Sequence, residues 1–509
     1  MNTYTVKMKE NEYWYGLCVA DGTKFPLGSS SVYEADFSVN PTGNQVAPLF
    51  LSNKGRYIYS EACFAVSVKE GTITVRSDGV IELIEAGSTL KEAFLAACSS
   101  HFPPQRGIPP REFFEVPQYN TWIELVYDQN QADILSYARK LIENGYPAGI
   151  FMIDDMWQKY YGCWEFERER FPDPKAMCDE LHELGFKIML WTCPYVSPDS
   201  VEFRELRDKD CLTKTADGKI SLHEWWDGYS AALDLSNPIA VVWYNEKLQK
   251  LCRENGIDGF KFDAGDARFY QNDKISMGDA DPNTFSELWA KFGLNYPYNE
   301  YRACVGVQGY PLVQRLADKL HSWEENGMAS LIPNTLAQGI LGYAYTCPDM
   351  IGGGEYMCFQ TEAQAGRLDE ELFVRYAQCA ALMPMMQFSA APFRVLSEEN
   401  ARLCLRAARL HTQFGHTFLS LAEHAGENGE PIVRYMEYEF PNEGFETVTD
   451  QFMIGDRILV APVVRKGDVT RTVKLPAGRW AYLGEEIMNG GTTVTVDAPL
   501  SVLPYFEKR

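Results

Sequence analysis

The sequence predicts an α/β protein: a (β/α)8 TIM barrel over residues 111–413, flanked by an N-terminal β-sandwich (1–110) and a C-terminal β-sandwich (414–509). Three observations carry that expectation. Both ends of the chain show short alternating apolar runs parted by turn residues, the signature of half-buried strands. The middle instead alternates strand-like with helix-like stretches, as parallel strands joined by crossovers do. Several of those middle strands end in carboxylates, and a barrel presents its reactive groups at strand ends.

At the N-terminus, Ala65-Val66-Ser67-Val68, Thr72–Arg76 and Val80–Ile84 read as strands. A helical piece (Thr89–Cys98) and the prolines of Phe102-Pro103-Pro104 and Pro109-Pro110 then mark a boundary. Barrel strands are expected at Thr121–Tyr127, Ala148–Asp155, Lys187–Trp191, 256–263, Arg302–Gln308, Leu312–Leu316, Gly342–Cys347 and Met385–Ala390. Helices are expected at Gln129–Asn144, Asp173–Leu184, Ala240–Glu254 and Glu398–Thr412, with a Trp- and Asp-rich excursion around Trp225-Trp226-Asp227. After it, Val433–Tyr438, Gln451–Val464, Val469–Leu475 and Thr492–Val496 read as strands again.

Composition narrows the function. With 509 residues, 46% hydrophobic content and 13% aromatics, the chain is a well-packed globular protein of two or three domains. A net charge of −23 disfavours nucleic acid and anionic membranes as partners. The N-terminus is polar, and no apolar run approaches the roughly 18 residues of a membrane span, so neither export signal nor span is expected. The 13 cysteines are odd in number and scattered, with no CxxC pair or Cys/His ligand spacing. That reads as reduced thiols in a cytoplasmic protein without disulfides, metal or other cofactor.

The chemistry centres on Gly256-Ile257-Asp258-Gly259-Phe260-Lys261-Phe262-Asp263-Ala264-Gly265-Asp266. A short apolar strand delivers Asp263, and Lys261, two residues earlier, shares its face. A neighbouring cation keeps a carboxylate ionised, which suits a nucleophile. A buried structural ion pair fits those residues equally well. Further acids end or follow other strands: Asp154 and Asp155 in Ile153-Asp154-Asp155-Met156-Trp157, Asp318 after Gln314-Arg315-Leu316-Ala317, and Asp349 in Pro348-Asp349-Met350-Ile351-Gly352-Gly353. Acids gathered at one rim repel each other unless they hold a cation or do chemistry. No histidine partner or regular oxygen-ligand spacing accompanies them, so two carboxylates acting on a glycosidic bond fit better than a metal.

From about Pro117 onward the sequence resembles glycoside hydrolase family 31, retaining α-glycosidases built on a barrel between β-sandwiches. Asp-Gly-Phe-Lys-Phe-Asp-Ala-Gly-Asp matches the nucleophile stretch, with Asp263 as nucleophile. Ala317-Asp318, with Trp323 five residues after the acid, matches the acid/base segment. Arg302, 16 residues before Asp318, and Asp154 match sugar-binding positions, and Asp349 lies in the Asp-Ile/Val-Gly-Gly segment. Asp450–Asp456 with Val460-Ala461-Pro462-Val463 resembles the start of the C-terminal domain. Trp157, Trp191 and Trp323 are candidate walls of the sugar site. Two departures bear on the substrate. The family's α-glucosidases carry Trp where Lys261 stands, and a sugar-binding His where a gapless alignment gives Ser389. The Asp154-Asp155 tract and Lys261-Phe262-Asp263 are instead similar to family 27 α-galactosidases, in which the paired aspartates and the lysine hold galactose hydroxyls. Asp155 and Asp266 are then expected to orient Asp154 and Lys261.

The resemblance implies a retaining, exo-acting α-glycoside hydrolase, α-galactosidase first, with Asp318 protonated in the free chain. The alternatives are an α-glucosidase and an enzyme for a modified sugar such as N-acetylgalactosamine. From other classes, a non-catalytic carbohydrate-binding protein and a metal-dependent barrel enzyme remain. The implied partner is a small-molecule α-glycoside or oligosaccharide. The N-terminal sandwich is short for the family, which allows a homo-oligomer whose neighbouring subunit completes the cleft.

Overall fold

The computed structural model describes residues 2–271, 273–360 and 368–509. Eight parallel strands form its centre: β1 (Gln118–Asn120), β2 (Ile150–Ile153), β3 (Lys187–Thr192), β4 (Gly259–Phe262), β5 (Tyr298–Tyr301), β6 (Val313–Arg315), β7 (Thr346–Cys347) and β8 (Gln387–Phe388). They are hydrogen-bonded in the order β7-β6-β5-β4-β3-β2-β1-β8. Ile351 N donates to Gln387 O at 2.9 Å across the remaining gap, so the sheet is a nearly closed barrel.

Strands buried on both faces read as continuous apolar runs, and Ile150-Phe151-Met152-Ile153 is fully buried. The outer helices start at side-chain caps. Asn130, Asp173, Asn237 and Asp281 each accept a hydrogen bond from a backbone N–H of the first turn, and proline follows the last three. Gly256, at φ 81°, ends helix Pro238–Asn255 in a left-handed turn and aims the chain into β4.

Four sequence expectations are corrected, among them Val433–Tyr438, which is strand only over Val433–Arg434 and helical over Met436–Glu439. Thr121–Tyr127 is not a strand: β1 precedes it, and Trp122–Leu125 is a helical turn whose first N–H is bound by Asn120 Oδ1 at 2.7 Å. Arg302–Gln308 is loop, because β5 ends at Tyr301. The helix that starts at Glu398 runs through residue 413 to Asn428. Its buried positions continue at helical spacing through Gly415, Phe418, Ala422 and Ala425, and Gly429 at φ 79° ends it.

Before the barrel lie two four-stranded antiparallel sheets. One pairs Asn2–Lys7, Thr72–Ser77, Ala65–Lys69 and Tyr33–Asp36; the other pairs Trp14–Cys18, Val46–Ser52, Arg56–Ser60 and Ile81–Glu85. Trp14, Phe50, Ile58, Val66 and Val75 are part of one apolar cluster between them. After the barrel, a six-stranded sheet and the pair Thr470–Leu475/Thr492–Asp497 enclose Trp480, Val473 and Phe506. Among the described residues no helix is long and apolar enough to cross a membrane.

Candidate active site

Loops leaving β1 to β6 surround a cavity of about 490 Å³. Its lining includes Asp154, Asp155, Trp191, Lys261, Asp263, Arg302 and Asp318, seven of the residues singled out in the sequence. Asp263 leaves the end of β4. Ala264 then takes φ 59°, a left-handed conformation that is costly for alanine, and its N–H donates to Asp263 Oδ1 at 2.8 Å. Arg302, just past β5, approaches the same oxygen with Nη2 at 3.1 Å and Nε at 3.3 Å. Trp191 Nε1, from β3, donates to Oδ2 at 3.1 Å.

Burial pushes the Asp263 carboxyl up, but Arg302, then Lys261 and Arg315, outweigh it and hold the group well below the ordinary carboxylate range. The group is therefore an anion at neutral pH. Lys261 is not its direct partner, contrary to the sequence expectation. Its Nζ reaches across to Asp154 Oδ2 at 2.6 Å, with both side chains buried. Burial works against the ammonium, and Asp154 overcomes it, so Lys261 stays charged. Asp266 orients Arg302 and not Lys261, accepting from Nη2 at 2.8 Å and from Nη1 at 3.2 Å.

Asp155 lies beside Asp154 and donates its N–H to Asp154 Oδ1 at 2.9 Å. Its own carboxylate accepts from Gln158 Nε2 at 2.8 Å and meets the Tyr161 hydroxyl at 2.8 Å. That hydroxyl also meets Asp227 at 2.8 Å, so the tryptophan-rich excursion is tied to the end of β2. Burial, with Asp227 adding to it, raises the Asp155 carboxyl well above its ordinary range.

The second carboxylate sits differently. Asp318 follows β6, and its side chain is 49% exposed while its partner Arg315 is 1% exposed. Arg315 Nη1 donates to Asp318 Oδ1 at 2.9 Å and to Asp349 Oδ1 at 2.6 Å. Desolvation raises the Asp318 carboxyl, but Arg315, Lys261 and Arg302 together bring it below its ordinary value. That direction runs against the expectation of a protonated Asp318 in the free chain: one guanidinium serves two acids and favours the anion on the outer one. Burial dominates at Asp349, which is pushed up to about 7.

Three of the predicted site residues lie away from the cavity lining. Trp157 is fully buried and donates Nε1 to Trp191 O at 2.9 Å. Trp323 donates Nε1 to Asp369 Oδ2 at 3.0 Å. Asp349 is fully buried, bound to Arg315 and, at 2.6 Å, to the Lys319 N–H. Ser389 is buried, and its hydroxyl accepts from Ile123 N at 2.7 Å.

Sequence reasoning missed Arg315, the aromatic rim (Trp122, Tyr127 and Trp226), Arg268 and Gly43, all of which line the cavity except Arg315. Arg315 did leave a signal. A basic residue in the apolar context of β6 needs a buried acid, as Lys261 does in β4. Gly43 left none, since it comes from the N-terminal unit.

Comparison with known proteins agrees with this architecture. Residues 108–402 match the glycosyl hydrolases family 31 TIM-barrel domain, and residues 429–509 match the glycosyl hydrolase family 31 C-terminal domain. The myogenesis-regulating glycosidase of Mus musculus is 31% identical over 411 residues, covering 78% of this chain and 57% of that protein. Alpha-glucosidase 2 of Bacillus thermoamyloliquefaciens is 26% identical over 413 residues, covering 75% of this chain and 51% of that protein. This chain therefore spans little more than half the length of these two relatives. In fold, it superposes on a Flavobacterium johnsoniae GH31 dextranase complexed with glucose at a TM-score of 0.85 and 20% identity, covering 99% of this chain and 66% of that one. A GH31 alpha-xylosidase from a soil metagenome, complexed with xylose, gives 0.85 at 21% identity, covering 100% and 79%. With a family match over more than half of its residues, and paired carboxylates at the mouth of the matched barrel, the chain belongs to glycosyl hydrolase family 31.

Proposed function

We propose that this protein is a retaining, exo-acting α-glycoside hydrolase whose sugar is an α-galactoside. Asp263, anionic and aimed by Arg302, Ala264 N and Trp191, attacks the anomeric carbon. The bond from that carbon to the leaving oxygen breaks as a carboxylate–carbon bond forms. Asp318 supplies the proton to the leaving oxygen. It acquires that proton as the leaving sugar covers its exposed face, since excluding water raises a carboxyl's pKa. It then accepts a proton from the water that releases the sugar.

The observation that carries the choice of sugar is the buried Lys261–Asp154 pair at 2.6 Å. It offers a charged donor beside a charged acceptor where the family's α-glucosidases carry an indole. Such a pair can donate to and accept from one sugar hydroxyl at once, whereas an indole can only donate, and an axial O4 draws on that difference. Ser389, whose hydroxyl is already bound to Ile123 N, supports the same choice. An α-glucoside is the second reading, favoured by the Bacillus α-glucosidase among the relatives. A cytoplasmic setting and self-association belong to this proposal too.

Initial rates on 4-nitrophenyl α-galactoside and α-glucoside, for wild type and Asp263→Asn, test it. The expected result is a galactoside preference of roughly a hundredfold or more, as a site built around a hydroxyl enforces. Asp263→Asn abolishes turnover of both. A glucoside preference keeps the mechanism and removes the role given to Lys261.

A further inference from the structure

Residues 42–45 lead into the strand Val46–Ser52 of the N-terminal two-sheet unit, yet their polar atoms reach into the barrel. Gly43 O accepts from Arg302 Nη1 at 2.9 Å. Asn44, 5% exposed, accepts the Ala317 N–H on Oδ1 at 2.8 Å, directly before Asp318. Gln45, fully buried, donates Nε2 to Arg302 O at 2.7 Å and lies 3.3 Å from Arg315 O. Its Oε1 accepts from Gln338 Nε2 at 2.9 Å. The loop is itself tied down by Asn40, which accepts from Thr42 N at 2.9 Å and donates to Asn44 O at 2.8 Å.

Gly43 leaves no room for a side chain. A Cβ there would lie 2.2 Å from Arg302 Nη1 and 3.4 Å from Asp266 Oδ1. The guanidinium it would strike is the one that clamps Asp263. Gly43 does not occupy the left-handed backbone region, so contact and not conformation demands glycine here.

We propose that Gly43, Asn44 and Gln45 are positioning residues that set the nucleophile's clamp and the proton-donor segment relative to each other. The inference rests on the reading of Asp263 and Asp318 given above. Asp263 follows β4, Asp318 follows β6, and Arg302, between them, follows β5. Double displacement needs the two carboxyl groups roughly 5–5.5 Å apart. One short loop from outside the barrel bonds Arg302 through both its side chain and its carbonyl, and also bonds the backbone on the approach to Asp318. The loop thereby makes the spacing a property of the joint between two structural units. Displacing either arm by about an ångström costs roughly a hundredfold in rate.

Gly43→Ala and Asn44→Ala test this. For Gly43→Ala, kcat/KM falls roughly a hundredfold while the thermal midpoint stays close to wild type. The acid limb of its kcat/KM profile moves up into the measurable range, because Asp263 loses its principal cation. Asn44→Ala disturbs the donor instead: its loss is at least roughly tenfold greater on a sugar leaving group than on 4-nitrophenolate, which departs without protonation. A merely structural loop would move neither the acid limb nor the leaving-group ratio. A crystal structure of Gly43→Ala reads the Arg302–Asp263 contact without turnover. A displaced guanidinium supports the positioning role even if no glycoside is hydrolysed, in which case the functional reading alone fails. A guanidinium still 3.1 Å from Asp263, or an unchanged acid limb in an active variant, overturns the inference.

Discussion

Asp263 and Asp318 open onto one cavity, but the ground each stands on differs. Asp263 receives donors from three directions: Arg302, the Ala264 N–H and the Trp191 indole. Its neighbour Lys261 is balanced separately by Asp154. Asp318 has one principal partner, Arg315, which also serves Asp349, and half of its side chain faces solvent. The first arrangement fixes a charge; the second leaves a charge that changes when the surroundings change. A nucleophile needs the first and a group that gives and takes a proton needs the second. Under the proposed double displacement, the number of donors around each and its access to water would divide the two roles between identical side chains.

Truncating each acid in turn separates the two carboxylates most strongly. Asp263→Asn is expected to remove at least roughly 10⁴-fold of kcat, whatever the leaving group. Asp318→Ala is expected to lose roughly 10²–10⁴-fold on an oligosaccharide but far less on the 4-nitrophenyl glycoside. Steady-state rates on both substrates decide the matter. Equal leaving-group dependence in the two variants would mean that the two carboxylates do not divide the work as their settings indicate.

A smaller effect concerns the acid that shares Arg315. Asp349 is pushed up to about 7, so in the window from about pH 4 to 7 the folded chain holds a proton that the unfolded chain has released. The folded state then binds more protons, and stability falls as pH rises through that window. Asp349→Asn removes the group, and its thermal midpoint is expected to fall less than wild type's between pH 5 and 8. Glu437, also pushed up to about 7, keeps part of the slope in both proteins, so the difference between them is the quantity to measure. An identical slope in the variant would place the proton elsewhere in the cluster.

The same two halves show what the sequence carried. β2 and β4 were legible as short runs of buried residues ending in an acid, and with them Asp154, Lys261 and Asp263. The apolar pattern sets β1 and β5 too late because the barrel interior there is polar. Gln387 Nε2 donates to Glu300 Oε2 at 2.8 Å and to Gln118 Oε1 at 3.1 Å, and Arg315 Nε donates to Glu300 Oε1 at 3.2 Å. Such a network is invisible to a rule that looks for apolar runs, since each residue is satisfied only by others distant in the chain. Strand alternation correctly put Lys261 and Asp263 on one face. Which carboxylate the lysine reaches depends on the strand alongside, so pairing Lys261 with Asp154 and Arg302 with Asp263 had to come from the fold.

Trp323 offers the finest test of the acid half, because there resemblance and geometry point in different directions. Its spacing from Asp318 suggests a wall of the sugar site. The structure instead binds its indole N–H to Asp369 Oδ2 at 3.0 Å. Asp369 caps helix Glu370–Ala381 by accepting from Leu372 N, and Lys466 of the C-terminal unit meets the same Oδ2 at 2.7 Å. In that setting the ring joins the loop after Asp318 to helix Glu370–Ala381 and to the C-terminal unit. Trp323→Phe keeps most of the packing and removes one hydrogen bond to a charged acceptor, worth about 1.5–3 kcal/mol. A lowered thermal midpoint with kcat/KM within about twofold of wild type is the expected pair of results. A loss of tenfold or more in kcat/KM at an unchanged midpoint would put the indole against the sugar. It would also mean that the donor half is walled by aromatic contact as well as set by Arg315.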